Sequence, residues 1–183
     1  MAKVGYVIYK RCVKGDRRKV EARSHDASSG GGARDVRLNP LELFEGVVPV
    51  VFSETHSTAR GGEAHSAPVY WWEEDGMQGP IKVDIWSPTN ARRGELRLSR
   101  VHKVTPFDEN HIPPHKVDPF FFIWKDAERV WARYVTVAEM REPGWPPALV
   151  DPILASVAIV PRERNIRGWI NLETEKGQHH DAR

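Results

Sequence analysis

One cysteine, Cys12, is the only thiol in 183 residues. A single thiol excludes an intrachain disulfide and any multi-cysteine zinc site, and it suits a reducing compartment. No stretch approaches 18 consecutive apolar residues, so no membrane-spanning helix is expected. Met1–Lys10 holds too short an apolar run for a signal peptide, and the expected location is the cytoplasm. The chain has neither a Walker-type Gly-Lys-Ser/Thr loop nor a nucleophile-elbow serine. Those absences remove P-loop nucleotide hydrolysis and α/β-hydrolase chemistry from the field. There is no internal repeat.

What is present is a chain of one-domain size, able to bury about 70% of its unfolded surface without metal or disulfide staples. Apolar residues make up 40% and charged residues 28%, the proportions of an ordered globular protein rather than a disordered one. The net charge of +2 conceals an uneven distribution. Residues 1–37 carry ten Lys/Arg against four Asp/Glu, and residues 81–103 carry six against two. Between them, residues 38–80 carry one against seven. Two basic stretches attract a polyanion if they face the same way. The first holds the glycine-rich segment Ser24–Asp35 and the second holds Ala91–Arg100, both turn-rich.

Period-two alternation marks most of the ordered segments. Val4–Tyr9 reads as a first strand leading into the basic loop, where Gly30, Gly31 and Gly32 forbid regular structure. Leu41–Phe44 reads as one helical turn, and Val47–Phe52 as an edge strand broken by Pro49. Val69–Trp72, Ile81–Trp86 and Glu95–Val101 read as consecutive antiparallel strands, with Leu96 and Leu98 inward and Arg97 and Ser99 outward. Phe120–Trp124 and Val130–Val137 form a hairpin rich enough in aromatics to supply much of the core. The tryptophans, Trp71, Trp72 and Trp86 included, are read chiefly as core filling rather than as platforms for unpaired bases. Pro143, Pro146 and Pro147 make a stiff connector, and Ile153–Val160 is either a last strand or a short helix. The expectation is a mainly β, antiparallel pseudobarrel with one or two short helices over residues 1–142. A proline-rich connector and closing element follows over 143–172, then a flexible tail over 173–183.

Val7–Arg11, the segment His25–Pro40, Val69–Trp72, Lys82–Trp86, Gly94–Leu98 and Phe122–Trp124 follow one another in an order that resembles the N-terminal effector-binding domain of EcoRII-type restriction endonucleases. The similarity spans roughly residues 4–135 in short, gapped matches. There a strand ending in Lys-Arg precedes an Asp, a Gly-Gly pair and a closing Pro. The resemblance implies a pseudobarrel, shared with plant DNA-binding domains, that clamps duplex DNA between two arms in the major groove. The arms fall here on residues 23–37 and about 80–100. The family's polar pair after Gly-Gly is Ala33-Arg34 in this chain, its later Gly is Val36 and its Tyr is Leu38. Its Glu-Lys-Arg recognition triplet is matched only at Lys82, so the family's target sequence does not carry over.

The expected DNA-contacting residues are Arg23, His25, Ser28, Arg34 and Arg37 in the first arm, and Lys82, Arg92, Arg93, Arg97 and Arg100 in the second. Arginine forks beside glycines present paired donors to guanine O6/N7 or to phosphate. The second set reads as phosphate contacts, since phosphate and sugar take half to two-thirds of protein–DNA hydrogen bonds. The competing readings pair Arg34 and Arg37 with Asp35 and Asp26 on a solvated loop, and make the second set a solubilising strand face. A third makes the alternating charge a protein–protein interface. An enzymatic alternative treats Asp84 and Glu95 as ligands of a nuclease metal, but Arg97 stands where a Lys is needed, and guanidinium does not yield a proton at neutral pH. His111 and His115 are separated by two prolines that rule out the helix needed to bring both to one metal. The resulting expectation is a non-catalytic double-stranded DNA recognition module without cofactor, part of a restriction or phage-defence system whose nuclease is a separate subunit.

Overall fold

The computed structural model describes residues 5–21, 35–58, 62–73, 76–89, 94–99 and 112–181, the side chains of 18–21 and 72–73 excepted. Strand β1 (Tyr6–Arg11) lies between β7 (Pro119–Lys125) and β9 (Ile166–Asn171), and β7 pairs in turn with β8 (Val130–Thr136). Strand β7 reads as a nearly unbroken apolar run because both its faces are covered. Ile8, Phe121, Ile123, Ala132 and Tyr134 serve one core. Val7, Tyr9, Phe120, Phe122 and Val135 serve a second core on the other face.

The remaining strands extend the sheet and curl it. Its order is β10 (Lys176–Asp181), β9, β1, β7, β8, β4 (Glu63–Glu73), β5 (Gly76–Trp86), β6 (Arg97–Ser99) and β2 (Val36–Arg37), with β3 (Glu54–Ser57) also on β4. The fold is mainly β, a strongly curled half-barrel. It departs from a purely antiparallel arrangement at β4 and β8, which run parallel through Val69 opposite Val130 and Tyr70 opposite Trp131. One edge of β4 is shared: β3 pairs with Glu63–Ser66, and β8 docks on the half beyond it. Curling brings the late hairpin β7–β8 to that free half, a juxtaposition no short turn enforces. The irregular register between Val69 and Trp71 is accommodated by Gly79, at φ +102, where a Cβ would stand 3.0 Å from both the Val69 carbonyl and the Trp71 ring.

Four helices accompany the sheet among the described residues: α1 (Lys14–Glu21), α2 (Val48–Val51), α3 (Val137–Met140) and α4 (Pro147–Ile159). Helix α2 replaces the strand expected over 47–52. Pro49 lies in its first turn, where a missing N–H costs nothing, and Val47, Val48, Val51 and Phe52 all reach the core. The open choice at Ile153–Val160 resolves as α4, which with α3 covers the second core through Val137, Met140, Leu149, Val150 and Ile153. A capping box between Thr136 and Glu139 starts α3.

The C-terminal residues do not form the flexible tail expected from their polarity. Lys176–Asp181 pairs along all of β9 as β10. A hydrogen-bonded chain beneath it holds the strand: Tyr9 Oη lies 2.7 Å from His179 Nδ1, His179 Nε2 lies 2.7 Å from Ser156 Oγ, and Ser156 Oγ donates to Asp181 Oδ2 at 2.8 Å. Burial pushes the Tyr9 phenol well above its usual pKa, so its O–H donates to Nδ1. Neutral His179 then carries its proton on Nε2 and donates to Ser156, giving every proton one acceptor. Gly168 is required here, because a Cβ would fall 2.5 Å from Tyr9 Oη.

At the C-terminal end of β1, next to Tyr9, buried Lys10 and Arg11 are neutralised. Arg11 donates to both carboxylate oxygens of Asp118 at 2.8 and 2.6 Å and, through Nη1, to the Val160 and Pro161 carbonyls. Lys10 pairs with Asp16, which also accepts from the Val13 amide.

Two outcomes are expected. Asp118→Asn keeps the shape and the tolerance of φ 55 but leaves a guanidinium buried without an anion, and costs about 3 kcal/mol in urea denaturation. Burial, outweighing Asp181, holds His179 below its ordinary pKa of 6.5, and neighbouring His180 acts in the same direction. A depressed histidine contributes stability that is complete above that ordinary value and is lost as pH falls towards the folded-state value. The protection factor of the β10 amides, which corrects exchange for its intrinsic pH dependence, therefore falls as pH drops below 6.5, and His179→Gln abolishes that fall.

Candidate nucleic-acid interface

On β5, Val83 and Ile85 enter the core, so Lys82, Asp84 and Trp86 share the opposite face. Register carries that face across the curled half of the sheet. Trp86 stands opposite Arg97 and Asp84 opposite Ser99. Arg37 stands opposite Arg97, Ser66 opposite Asp84 and Glu54 opposite Ser66. Arg37, Lys82 and Arg97 are thereby brought to one face. The other expected contacts, Arg23, His25, Ser28, Arg34, Arg92, Arg93 and Arg100, lie outside the described residues.

The strands that continue into the two basic stretches are bonded to each other. Beyond the β2–β6 ladder, the Leu38 amide donates to the Leu96 carbonyl at 2.8 Å and the Leu41 amide to the Gly94 carbonyl at 3.0 Å. Side chains reinforce the join: Asn39 Oδ1 accepts from the Leu96 amide at 2.9 Å, and Ser99 Oγ donates to Asp35 Oδ1 at 2.8 Å. Residues 22–34 enter this ladder at Asp35, beside Ser99 from which Arg100 leaves. Residues 90–93 enter at its other end, at Gly94.

The three described cations differ in what they offer. Arg97, expected to project outward, is only 8% exposed. Its Nε and Nη2 donate to Glu95 Oε2 at 3.0 and 2.7 Å, its Nη1 lies 3.9 Å from Asp35 Oδ2, and its guanidinium stands 5.3 Å over the Trp86 ring. Trp86 is fixed in turn by donating to Ser99 Oγ at 2.8 Å. Sequence parity assigned Arg97 correctly to the face opposite Leu96 and Leu98. It did not reveal that Trp86, one strand away, and two carboxylates would enclose it. Arg37 keeps 48% of its side chain exposed, 3.8 Å from Glu95 Oε1. Lys82 is half exposed and donates to Glu54 Oε2 at 3.0 Å, an oxygen that also accepts from Ser66. The hydrogen bond and charge of Lys82 lower the pKa of Glu54.

Asp35, Glu54, Asp84 and Glu95 thus interleave with the cations, and the described part of the face carries no net positive charge. Asp84 faces His56, whose Nε2 is 3.9 Å away, and Glu95 is engaged by two arginines. Among the described residues no three His, Cys, Asp or Glu side chains gather to hold a metal ion. No helix among them is long and apolar enough to cross a membrane. Lys10 and Arg11, which carry part of the first stretch's positive charge, are enclosed ion pairs rather than surface cations.

Removing Arg97 is expected to act on stability before anything else. Arg97→Ala removes the cation shared by partly buried Asp35 and Glu95, leaving Glu95 only the more distant Arg37, and costs about 1–3 kcal/mol in urea denaturation. Arg37→Ala, at an exposed position, stays within about 0.5 kcal/mol. Comparison with protein-family models and with curated proteins finds no match to the chain, so the resemblance to the EcoRII-type domain rests on the residues that carry it.

Proposed function

We propose that the chain is a non-catalytic module that recognises double-stranded DNA, with sequence preference, within a restriction or phage-defence system whose nuclease is a separate polypeptide. The observation that carries this reading is the β2–β6 ladder. It joins the described parts of the two basic stretches, from which the chain continues to Arg34 and Arg100 at Asp35 and Ser99 and to Arg92 and Arg93 at Gly94. Five residue steps, Gly94 to Ser99, separate these attachment points, at most about 17 Å of extended chain. That distance corresponds to about five base-pair steps along a duplex.

Within this reading the contacts divide by exposure. Arg97 is a structural cation that positions its neighbours. Arg37 and Lys82 are accessible, and each exchanges a carboxylate partner for phosphate, which makes them weak contributors. Arg23, His25, Ser28, Arg34, Arg92, Arg93 and Arg100 supply most of the affinity and, through a guanidinium fork on guanine, the base preference.

Electrophoretic mobility shift across salt and across randomised duplexes tests the proposal. Binding is expected at about 50 mM salt, with a linear fall of log affinity against log salt. Arg93→Ala weakens all duplexes about equally and reduces the slope by about 1. Arg34→Ala relaxes preference at one or two base positions, by about 1–3 kcal/mol. An affinity that is absent at low salt, or indifferent to salt, overturns the reading.

A further inference from the structure

The core face bounded by α3 and α4 is not fully closed. A cleft of about 600 Å³ opens between β7, β8 and the segment Pro143–Pro146, with Phe122, Trp124, Trp145 and Leu149 among its walls and Arg133 as the one charged residue that lines it. We propose that this cleft binds a small, flat aromatic molecule bearing an acidic oxygen, a carboxylate or a sulfonate. The site is distinct from the DNA-contacting residues and does not rest on that reading.

Four features support the assignment. The volume lies within the range of about 300–1,000 Å³ typical of small-molecule sites. The walls are set in place: Trp145 meets Phe122 edge-on at 5.8 Å and 85°, and Trp124 stacks on Trp131 at 6.4 Å and 15°. Trp131 is itself held by donation from Nε1 to Asp126 Oδ2 at 2.8 Å. The segment that carries Trp145 is stiff, with Pro143, Pro146 and Pro147 restricting the backbone and Gly144 taking the turn at φ +107. Aromatic walls fixed in this way favour an offset or edge contact with another flat ring.

The polar requirement comes from Arg133, whose side chain is 45% exposed. Its Nε donates to the Tyr134 carbonyl at 3.1 Å and its Nη2 pairs with Glu139. Glu139 is held by the capping box, accepting from the Thr136 amide at 2.7 Å and from Thr136 Oγ1 at 2.8 Å. The guanidinium is therefore oriented, and its Nη1 takes part in none of the hydrogen bonds among the described residues. Glu139 balances much of its charge. What remains is a directed donor on an apolar cleft, suited to an acidic oxygen attached to a ring rather than to a bare inorganic anion.

Two probes separate the ring from the acid: 1-anilinonaphthalene-8-sulfonate and its uncharged analogue N-phenyl-1-naphthylamine, each titrated into the full chain and read by fluorescence. Both are expected to saturate at one site per chain, the sulfonate more tightly. Arg133→Met weakens the sulfonate about tenfold, the scale of one hydrogen bond to a charged group, and leaves the amine within about twofold. Leu172→Trp fills the cleft from its partly exposed rim, and Trp145→Ala removes a wall; each weakens both probes at least about tenfold. The proposal is overturned if neither probe saturates on the wild-type chain, if the cleft variants bind as the wild type does, or if Arg133→Met weakens both probes alike.

Discussion

Lys10 and Arg11 end β1 with 2% and 1% of their surface exposed, and a charge so enclosed is tolerable only beside an opposite one. Much of the architecture around them follows from that requirement. Asp16 must stand in the first turn of α1, which fixes where the chain leaves β1. Asp118 must hold its left-handed backbone at the entry to β7, and the Val160 and Pro161 carbonyls must close over Nη1 as α4 ends. Three distant parts of the sequence are thereby fastened to one point. The strand so anchored is apolar on both faces over Val7–Tyr9, so with β7 and β8 it serves both cores.

The same principle shapes the candidate interface on a smaller scale. Arg97 is enclosed by Glu95, Asp35 and Trp86, and this enclosure binds β6 to the residue that opens β2 and to the end of β5. A polyanion site does not need every arginine at its surface. It needs a frame that does not yield when phosphates pull on the exposed ones, and an ion-paired arginine stacked on an indole supplies such a frame.

The alternating strands were legible because half-buried strands must alternate, and Ser87-Pro88 and Asp126-Ala127 mark where β5 and β7 stop. Val47–Phe52 was not, since a run of six apolar residues fits a strand and a buried helical turn equally well, and only its packing decides. Lys176–Asp181 was illegible for a different reason. An edge strand with Gly177 and no apolar residue carries no hydrophobic signal, and what holds it is a pairing with β9 and a hydrogen-bonded chain to Tyr9 and Ser156, residues far away in sequence. The parallel contact between β4 and β8 belongs to the same class, a product of curvature. At the candidate site, face parity was readable, and Arg37, Lys82 and Arg97 do share a face. Glu95, two residues from Arg97 on the same face, was a readable partner, whereas Asp35 beside Arg97, Glu54 beside Lys82 and Glu95 beside Arg37 come from other parts of the sequence and were not.

Net charge by sequence segment therefore overstates what a partner meets. In the first basic stretch Lys10 and Arg11 are neutralised in the interior, and in the second Arg97 is neutralised at the sheet face while Lys82 leans on Glu54 from the acidic stretch. The acidic stretch is in part the counter-charge of the second basic one, folded against it across β3, β4 and β5. What remains uncompensated on the described frame is small, so under the proposed reading the attraction for a polyanion is assigned to Arg23, Arg34, Arg92, Arg93 and Arg100. Salt sensitivity in such an arrangement reports on those residues, whereas the stability of the frame reports on Arg97. The two quantities separate experimentally because the charges that hold the fold and the charges available to a ligand are different residues.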